Sequence, residues 1–272
     1  MKSISALTFL LASLPGSFAS VFGAGAPAHI DLGKLPPQAK LVEEVIVPVP
    51  SEIFGVLDKL GSPNWHEVLR SKKVSAPGER AHTALLLGGV IAEGFIAVEA
   101  QEGEEVKKIG IDVLNLSAAI GVRKSVIART NSIREAADKK DWQKVRTELD
   151  GALQDVKQAM IELHDEQLAQ LVSLGGWLRG TEALTTVVLR SYSKDAAELL
   201  HQPTLLDYFD QQLKTLDPRL KRNAVVAKIC RRLPEIKPLL GDKEGDPIPE
   251  KSVSEVHNIT QDLVKAIASR ES

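Results

Sequence analysis

The chain has 272 residues, of which 43% are hydrophobic and 26% charged, so it can bury a full core and is too apolar for intrinsic disorder. Aromatic residues make up only 4%, and Ala, Leu, Lys, Glu and Gln dominate the central region, which favours helices and argues against a β-sandwich or barrel. The formal net charge of −2 is too close to neutral to indicate nucleic acid or a strongly charged substrate as the partner.

Residues 1–19 are predicted to be a signal peptide that directs export. Lys2 supplies a minimal basic start, the stretch Ile4–Leu14 is mostly apolar, and small residues follow it. Cleavage after Ala19 fits the small-x-small rule, although rival small-residue sites extend as far as residue 26. Because a membrane span needs about 20 apolar residues, we expect no transmembrane span in the mature chain and a periplasmic or extracellular location.

Residues 20–50 are predicted to form an extended linker or strap that is rich in Pro, Gly and Ala. The run 45–50 disfavours helix, since each proline restricts the residue before it to extended conformations. Residues 51–272 are predicted to form a single helical domain. Cys230 is the only cysteine of the chain, so no intramolecular disulfide can form and stability must come from packing.

The first helices of this domain are two short ones, expected at 51–60 and 62–70 from their capping residues and from proline near the start of the second. The stretch Ala84–Ala100 is apolar nearly all round, which predicts a helix buried on most sides at the centre of a bundle. As a membrane span it would carry Glu93 and Glu99 in lipid at a substantial cost.

Amphipathic periodicity is strongest in the middle of the chain. Apolar residues recur every three or four positions from Glu104, and the pattern can be followed through Gly121 to about Asp138. The stretch Trp142–Leu163 keeps the same alternation over several turns after a short polar link. Two long amphipathic segments joined in this way are typical of an antiparallel helical hairpin, and the sequence predicts an all-α, multi-helix bundle.

Two similar Leu-Gly-Gly sequences, at 87–89 and 174–176, lie in apolar stretches. They fit either an internal repeat or chance, while small residues on a central helix would also let a neighbouring helix approach closely. Further helices are expected at 195–200, 204–213 and 218–232, and a last amphipathic helix after a loop at 241–249.

The strongest chemical hypothesis is a metal site, because the common catalytic signatures, such as His-Glu-x-x-His and Gly-x-Ser-x-Gly, do not occur in the sequence. Two Glu-x-x-His pairs place a carboxylate and an imidazole on one helical face, as in helical di-iron proteins, and would bind iron or another divalent metal. The competing interpretation is that these are solvated or capping residues near helix ends. The candidate ligands are Glu79, His82, Glu198, His201 and Glu162, with Glu93 as an alternative to Glu162.

A second hypothesis concerns a basic segment near residues 219–237, which could contact an anionic surface such as lipid headgroups or envelope polymers. Its apolar residues are also spaced as in an ordinary amphipathic helix whose charges face water. The candidate anion-binding residues are Arg219, Lys221, Arg222, Lys228, Arg231 and Arg232.

Three further side chains have both a chemical and a structural interpretation. Trp177 and Arg179 could build a pocket or a cation–π contact, or form a core Trp beside an Arg that extends to solvent. His164, beside three acidic residues, could transfer protons or lie on the solvent-exposed side of its helix.

The leading functional hypothesis is an exported, non-enzymatic protein that binds or scaffolds an unknown protein or envelope component, with no cofactor and no catalytic residue assigned. Its basis is that apolar helix faces are abundant in the sequence whereas convergent polar chemistry is not. The alternatives are a metal-binding, di-iron-like helical bundle and a binder of anionic envelope surfaces.

Overall fold

The computed structural model describes residues 63–70, 74–241 and 245–269. The chain divides into two compact units, and the second, Val45–Ser272, contains every described residue. The predicted signal peptide 1–19, the linker 20–50 and the short helix at 51–60 lie outside the described residues. All regular secondary structure in the described ranges is helical, with no strand, which confirms the prediction of an all-α, multi-helix bundle.

The described ranges contain both long and short helices. In chain order the α-helices of these ranges are α1 (Arg80–Glu99), α2 (Gly103–Ala119), α3 (Arg123–Asp138), α4 (Trp142–Glu162), α5 (Glu166–Arg190), α6 (Lys194–Glu198), α7 (Pro203–Thr215), α8 (Pro218–Lys221), α9 (Ala224–Arg232), α10 (Lys237–Leu240) and α11 (Glu250–Ala268). Short 3-10 helices occur at Trp65–Glu67 and Leu233–Glu235.

The bundle is organised around α1 and α5, which pack against each other more extensively than any other described pair. Helices α2, α3 and α4 pack successively beside their neighbours in sequence, and α11 packs on α5. Arg80 at the start of α1 contacts Asp165 at the start of α5, while Glu93 further along α1 contacts Arg179 further along α5. These contacts show that α1 and α5 run in the same direction.

Helix α1 is the described helix long and apolar enough to cross a membrane by length and composition. Its best 18-residue window has a mean hydropathy of 1.7, and 94% of that window is buried inside the bundle. A helix that is apolar all round is expected wherever its neighbours cover it on every side. Burial by α2, α4, α5 and α11 therefore accounts for the composition of α1.

Four successive turns between α1 and α5 share one backbone geometry. Each has a residue with left-handed φ just after the helix, and the next amide donates back to a carbonyl five positions earlier, as Asp165 N does to Met160 O at 2.8 Å. The expected continuation of one helix through Gly121 is wrong, because the left-handed φ of that glycine ends α2 and lets α3 begin. The four residues are Gln101 (φ 55°), Gly121 (φ 88°), Lys140 (φ 56°) and His164 (φ 57°).

The contact between α1 and α5 depends on glycine at two positions. A Cβ added to Gly88 would lie 1.8 Å from the carbonyl oxygen of Val172, and one added to Gly175 would lie 2.0 Å from that of Leu85. Both obstacles are backbone atoms, which cannot move without separating the helices. The two Leu-Gly-Gly sequences therefore face each other across this contact, and packing alone gives a reason for their similarity.

Replacing Gly88 by Ala is expected to lower the free energy of unfolding by about 3 kcal/mol, because the new methyl group overpacks a contact between backbones. The matched control is Gly89→Ala, whose Cβ would lie 3.8 Å from its nearest neighbour, the Gly175 carbonyl oxygen. That control is expected to stabilise the protein by up to about 1 kcal/mol through helix propensity. Urea unfolding followed by circular dichroism measures both, and equal effects of the two substitutions would contradict the close contact.

Candidate functional site

A cluster of four charged side chains lies where α1 and α5 pack together, and we call it the ionic cluster. It consists of Glu93 on α1, Arg179 and Glu182 one turn apart on α5, and Arg70 from the segment before α1. Arg179 is 2% exposed, Glu182 4% and Glu93 8%. Charged residues are almost never buried to this extent unless they are paired.

Every nitrogen of the Arg179 guanidinium has an acceptor. Nε donates to Glu93 at 2.6 Å, one terminal nitrogen donates to Glu182 at 2.9 Å, and the other donates to the carbonyl oxygen of Val68 at 2.7 Å. The second oxygen of Glu182 accepts from the Arg70 side chain, and the second oxygen of Glu93 accepts from the Arg70 amide. Both carboxylates thus use both of their oxygens.

Charge balance makes the ionic cluster depend on Arg70. Glu93, Glu182 and Arg179 alone would carry a net charge of −1 in the interior, and an uncompensated buried charge costs several kcal/mol. Arg70, whose side chain is 34% exposed, brings the second positive charge from the surface. The cluster is therefore complete only while the segment that carries Arg70 stays on the bundle.

Residues 63–70, which we call the docking segment, are held to the bundle by apolar and polar contacts together. Trp65 and Val68 are buried against the core. Glu67 pairs with Arg190 at the end of α5 at 2.6 Å. The expected helix over 62–70 is wrong within the described residues, where only a 3-10 helix forms at Trp65–Glu67. The Val68 carbonyl and the Arg70 amide bond to the ionic cluster instead of continuing a helix.

His257 on α11 lies beside the ionic cluster, and both of its ring nitrogens have hydrogen-bond partners. The Thr185 hydroxyl donates to backbone carbonyls of α5, so it accepts from His257 Nδ1 at 3.2 Å. The amide of Gln261 donates to Nε2 at 3.3 Å. Burial lowers the pKa of His257 below its ordinary value of 6.5, against the opposing effect of the Glu182 carboxylate.

The first Glu-x-x-His pair makes contacts with other parts of the bundle. The Glu79 carboxylate accepts from the Asn223 side chain, and His82, which is buried at the start of α1, donates from Nε2 to the Ile267 carbonyl at 2.8 Å. Among the described residues, no three His, Cys, Asp or Glu side chains group together in a way that could hold a metal ion. Both residues of this pair thus make hydrogen bonds to other elements of the bundle.

The second pair also contacts other parts of the bundle, although the buried Nδ1 of His201 has no hydrogen-bond partner among the described residues. Glu198 lies 3.4 Å from His201 Nδ1 and accepts from the backbone amide of Gly245 at 3.0 Å. The other nitrogen of His201 bonds to the Gly241 carbonyl at 3.3 Å. Glu162 accepts from Gln158 on its own helix. The two pairs and Glu162 therefore meet different neighbours, in line with the absence of a three-ligand group in the described ranges.

The basic segment is largely neutralised by acidic residues nearby. Arg219 pairs with Asp217, Lys228 with Asp262 and Arg232 with Glu235, while Lys221 donates to a backbone carbonyl. Hydrogen bonds from Arg219 lower the pKa of Asp217 to about 2.

Two exposed arginines, Arg222 and Arg231, are the members of the predicted set for which the described part of the chain offers no ion pair. Between them lies Cys230, whose thiol pKa is raised by partial burial.

Trp177 and Arg179 do not act together. Trp177 donates from its indole to Gln202 at 3.0 Å and packs on Phe209 with 5.5 Å between ring centroids. Trp177 is thus a core residue, as one interpretation predicted, whereas Arg179 turns into the ionic cluster and does not extend to solvent.

An open cleft of about 590 Å³ lies at the starts of α1, α5 and α8. Arg80 pairs there with Asp165, and Arg219 pairs with Asp217. Each pair has at least two hydrogen bonds between its side chains. His164 at the edge of the cleft is almost fully exposed, with Nδ1 4.0 Å from Glu166. Four charged residues that line the cleft thus form two separate ion pairs.

Comparison with protein-family models, with curated proteins and with solved structures finds no match for this chain.

Sequence analysis missed the roles of Arg70 and Glu182. A usable signal existed, because two stretches that are apolar nearly all round carry Glu93 in one and Arg179 with Glu182 in the other. Opposite charges in two buried helices can be accommodated together only as a pair.

Arg179→Met is expected to lower the free energy of unfolding by about 3–5 kcal/mol, because it leaves Glu93 and Glu182 buried with a single positive partner. The control is Arg80→Met, which removes a half-exposed ion pair with Asp165 and is expected to cost about 0–1 kcal/mol. Chemical unfolding compares the two variants. Similar losses would contradict the assignment of Arg179 as the centre of the cluster.

His257→Gln is expected to make stability less sensitive to pH. A histidine whose folded pKa lies below its unfolded value binds fewer protons when folded, so its contribution is fully present above the unfolded pKa of 6.5 and is lost as the pH falls below it. The difference in unfolding free energy between wild type and variant should shrink from about pH 7.5 to about pH 5.5. A difference that grows on acidification would show that the imidazole is charged in the native protein.

Proposed function

We propose that this chain is an exported, non-enzymatic protein that binds or scaffolds a protein or envelope component in the cell envelope or exterior. The observation that supports the proposal is that, within the described residues, the buried charged groups of the ionic cluster bond only to each other and to the docking segment. All hydrogen-bonding nitrogens of Arg179 and all carboxylate oxygens of Glu93 and Glu182 bond to the docking segment or to one another. This chemistry serves to position a segment of polypeptide.

Two alternatives stay predictions with less support. A di-iron-like bundle would need Glu79, His82, Glu198 and His201 to share a metal, and the contacts of these residues favour packing roles. A binder of anionic surfaces would rely on Arg222 and Arg231, the two arginines of the basic segment without an ion pair to any described residue. Both alternatives compete with the binding or scaffolding role rather than extend it.

Export and metal content can be tested on one preparation of the full chain, produced with its own N-terminus in a bacterium. We expect mature protein that begins at residue 20 in the periplasmic or extracellular fraction, with less than stoichiometric iron, zinc and manganese. The matched control, Leu10→Arg with Leu11→Arg, breaks the apolar stretch and should keep the protein in the cytoplasm at its full mass.

Intact wild-type protein confined to the cytoplasm would contradict the exported role. Stoichiometric metal that is lost in both His82→Ala and His201→Ala would replace the proposal by the metal-binding alternative.

A further inference from the structure

The docking segment, which includes the 3-10 helix Trp65–Glu67, contacts the bundle through both its main chain and its side chains. Side chains of the bundle bond to its main chain at two positions two residues apart: Arg179 donates to the Val68 carbonyl, and Glu93 accepts from the Arg70 amide. In peptide-binding grooves, main-chain hydrogen bonds supply affinity and side-chain pockets supply specificity. Main-chain bonds and buried side chains both occur where the docking segment meets α1 and α5. We call this surface, which includes Glu93, Arg179 and Glu182, the groove.

Side chains of the segment add sequence specificity. Trp65 and Val68, three positions apart, are each only 6% exposed against the core. Arg70 follows two positions later and pairs with the buried carboxylate of Glu182. The contacts therefore select an aromatic residue, an aliphatic residue three positions on, and an arginine two positions after that.

Charge complementarity favours a cationic occupant. The groove side of the ionic cluster, made of Glu93, Glu182 and Arg179, has a net charge of −1, and Arg70 neutralises it. A segment with a neutral or acidic residue at this position would leave a buried charge without compensation. The groove thus discriminates by charge as well as by shape.

Of the residues between the docking segment and α1, the described ones are not helical. Residues 74–79 have no regular secondary structure, and Gly78 adopts a φ of 98° with no atom within 4 Å of where its Cβ would be. Undocking therefore needs no unwinding of α1. The segment can leave the groove while the contact between α1 and α5 is kept.

We propose that the groove between α1 and α5 is a peptide-binding site, which the docking segment occupies as an intramolecular competitor. The external ligand is a segment of a partner protein with an aromatic residue, an aliphatic residue three positions later and an arginine two positions beyond it. This inference rests on the proposed binding role and names the class of partner. Binding in trans becomes strong when the competitor is weakened, because a tethered segment has a high effective concentration.

The test measures fluorescence anisotropy of a labelled synthetic peptide with the sequence of residues 63–70, titrated with full-length protein. Trp65→Ala weakens the intramolecular competitor and replaces none of the four residues of the ionic cluster. We expect this variant to bind the peptide at least about tenfold more tightly than wild type, because a larger fraction of its grooves is vacant. A peptide with glutamate in place of its final arginine should bind at least about tenfold more weakly.

A second variant, Glu67→Lys, removes two exposed contacts, the pair with Arg190 and the hydrogen bond from Asn64, and leaves the buried residues of the segment in place. It serves as the test variant if Trp65→Ala does not fold. Circular dichroism of each variant reports whether the helical bundle as a whole stays folded. Absence of saturable binding in every folded variant, or equal binding of the arginine and glutamate peptides, would overturn the proposal. These assays use purified protein and do not depend on export, so this inference and the exported role fail separately.

Discussion

The close approach of α1 and α5 at Gly88 and Gly175 is the constraint on which the rest of the bundle depends. Each glycine sacrifices about 1 kcal/mol of helix propensity relative to alanine. In return the two backbones come near enough that side chains further along both helices meet. Because α1 and α5 are parallel, the same contact that joins the glycines also brings Glu93 to Arg179. Helix packing and the ionic cluster are thus two consequences of one geometry.

The ionic cluster contributes specificity more than stability. Replacing a buried ion pair by apolar residues is often neutral or stabilising, whereas removing one partner is costly. An arrangement of two carboxylates and two guanidiniums therefore tolerates few occupants other than the one that completes it. Arg70 completes it from outside the helices, so the cluster fixes where the docking segment lies. This dependence connects the packing of the core to the proposed binding of a peptide.

The sequence was sufficient for the fold class and for the longest amphipathic helix, since apolar spacing from Trp142 onward depends only on local periodicity. It was insufficient where one residue decides a tertiary feature. Gly121 ends a helix through a left-handed φ, but glycine inside an amphipathic pattern can equally be tolerated. Arg179 looked like a residue that reaches solvent, and only the position of Glu93 on another helix shows that it stays buried. The segment at 62–70 had helix-capping residues, yet bonds to the cluster replaced its helical bonds.

Native-state hydrogen exchange of the intact protein tests the central contact most directly. If α1 and α5 are held together as described, amides near Gly88 and Gly175 should exchange only through global unfolding, with an opening free energy equal to that from urea unfolding. Amides of α7, which lies outside this contact, should open at lower free energies. Exchange of the amides near the two glycines through local openings, at free energies as low as those of α7, would contradict the account.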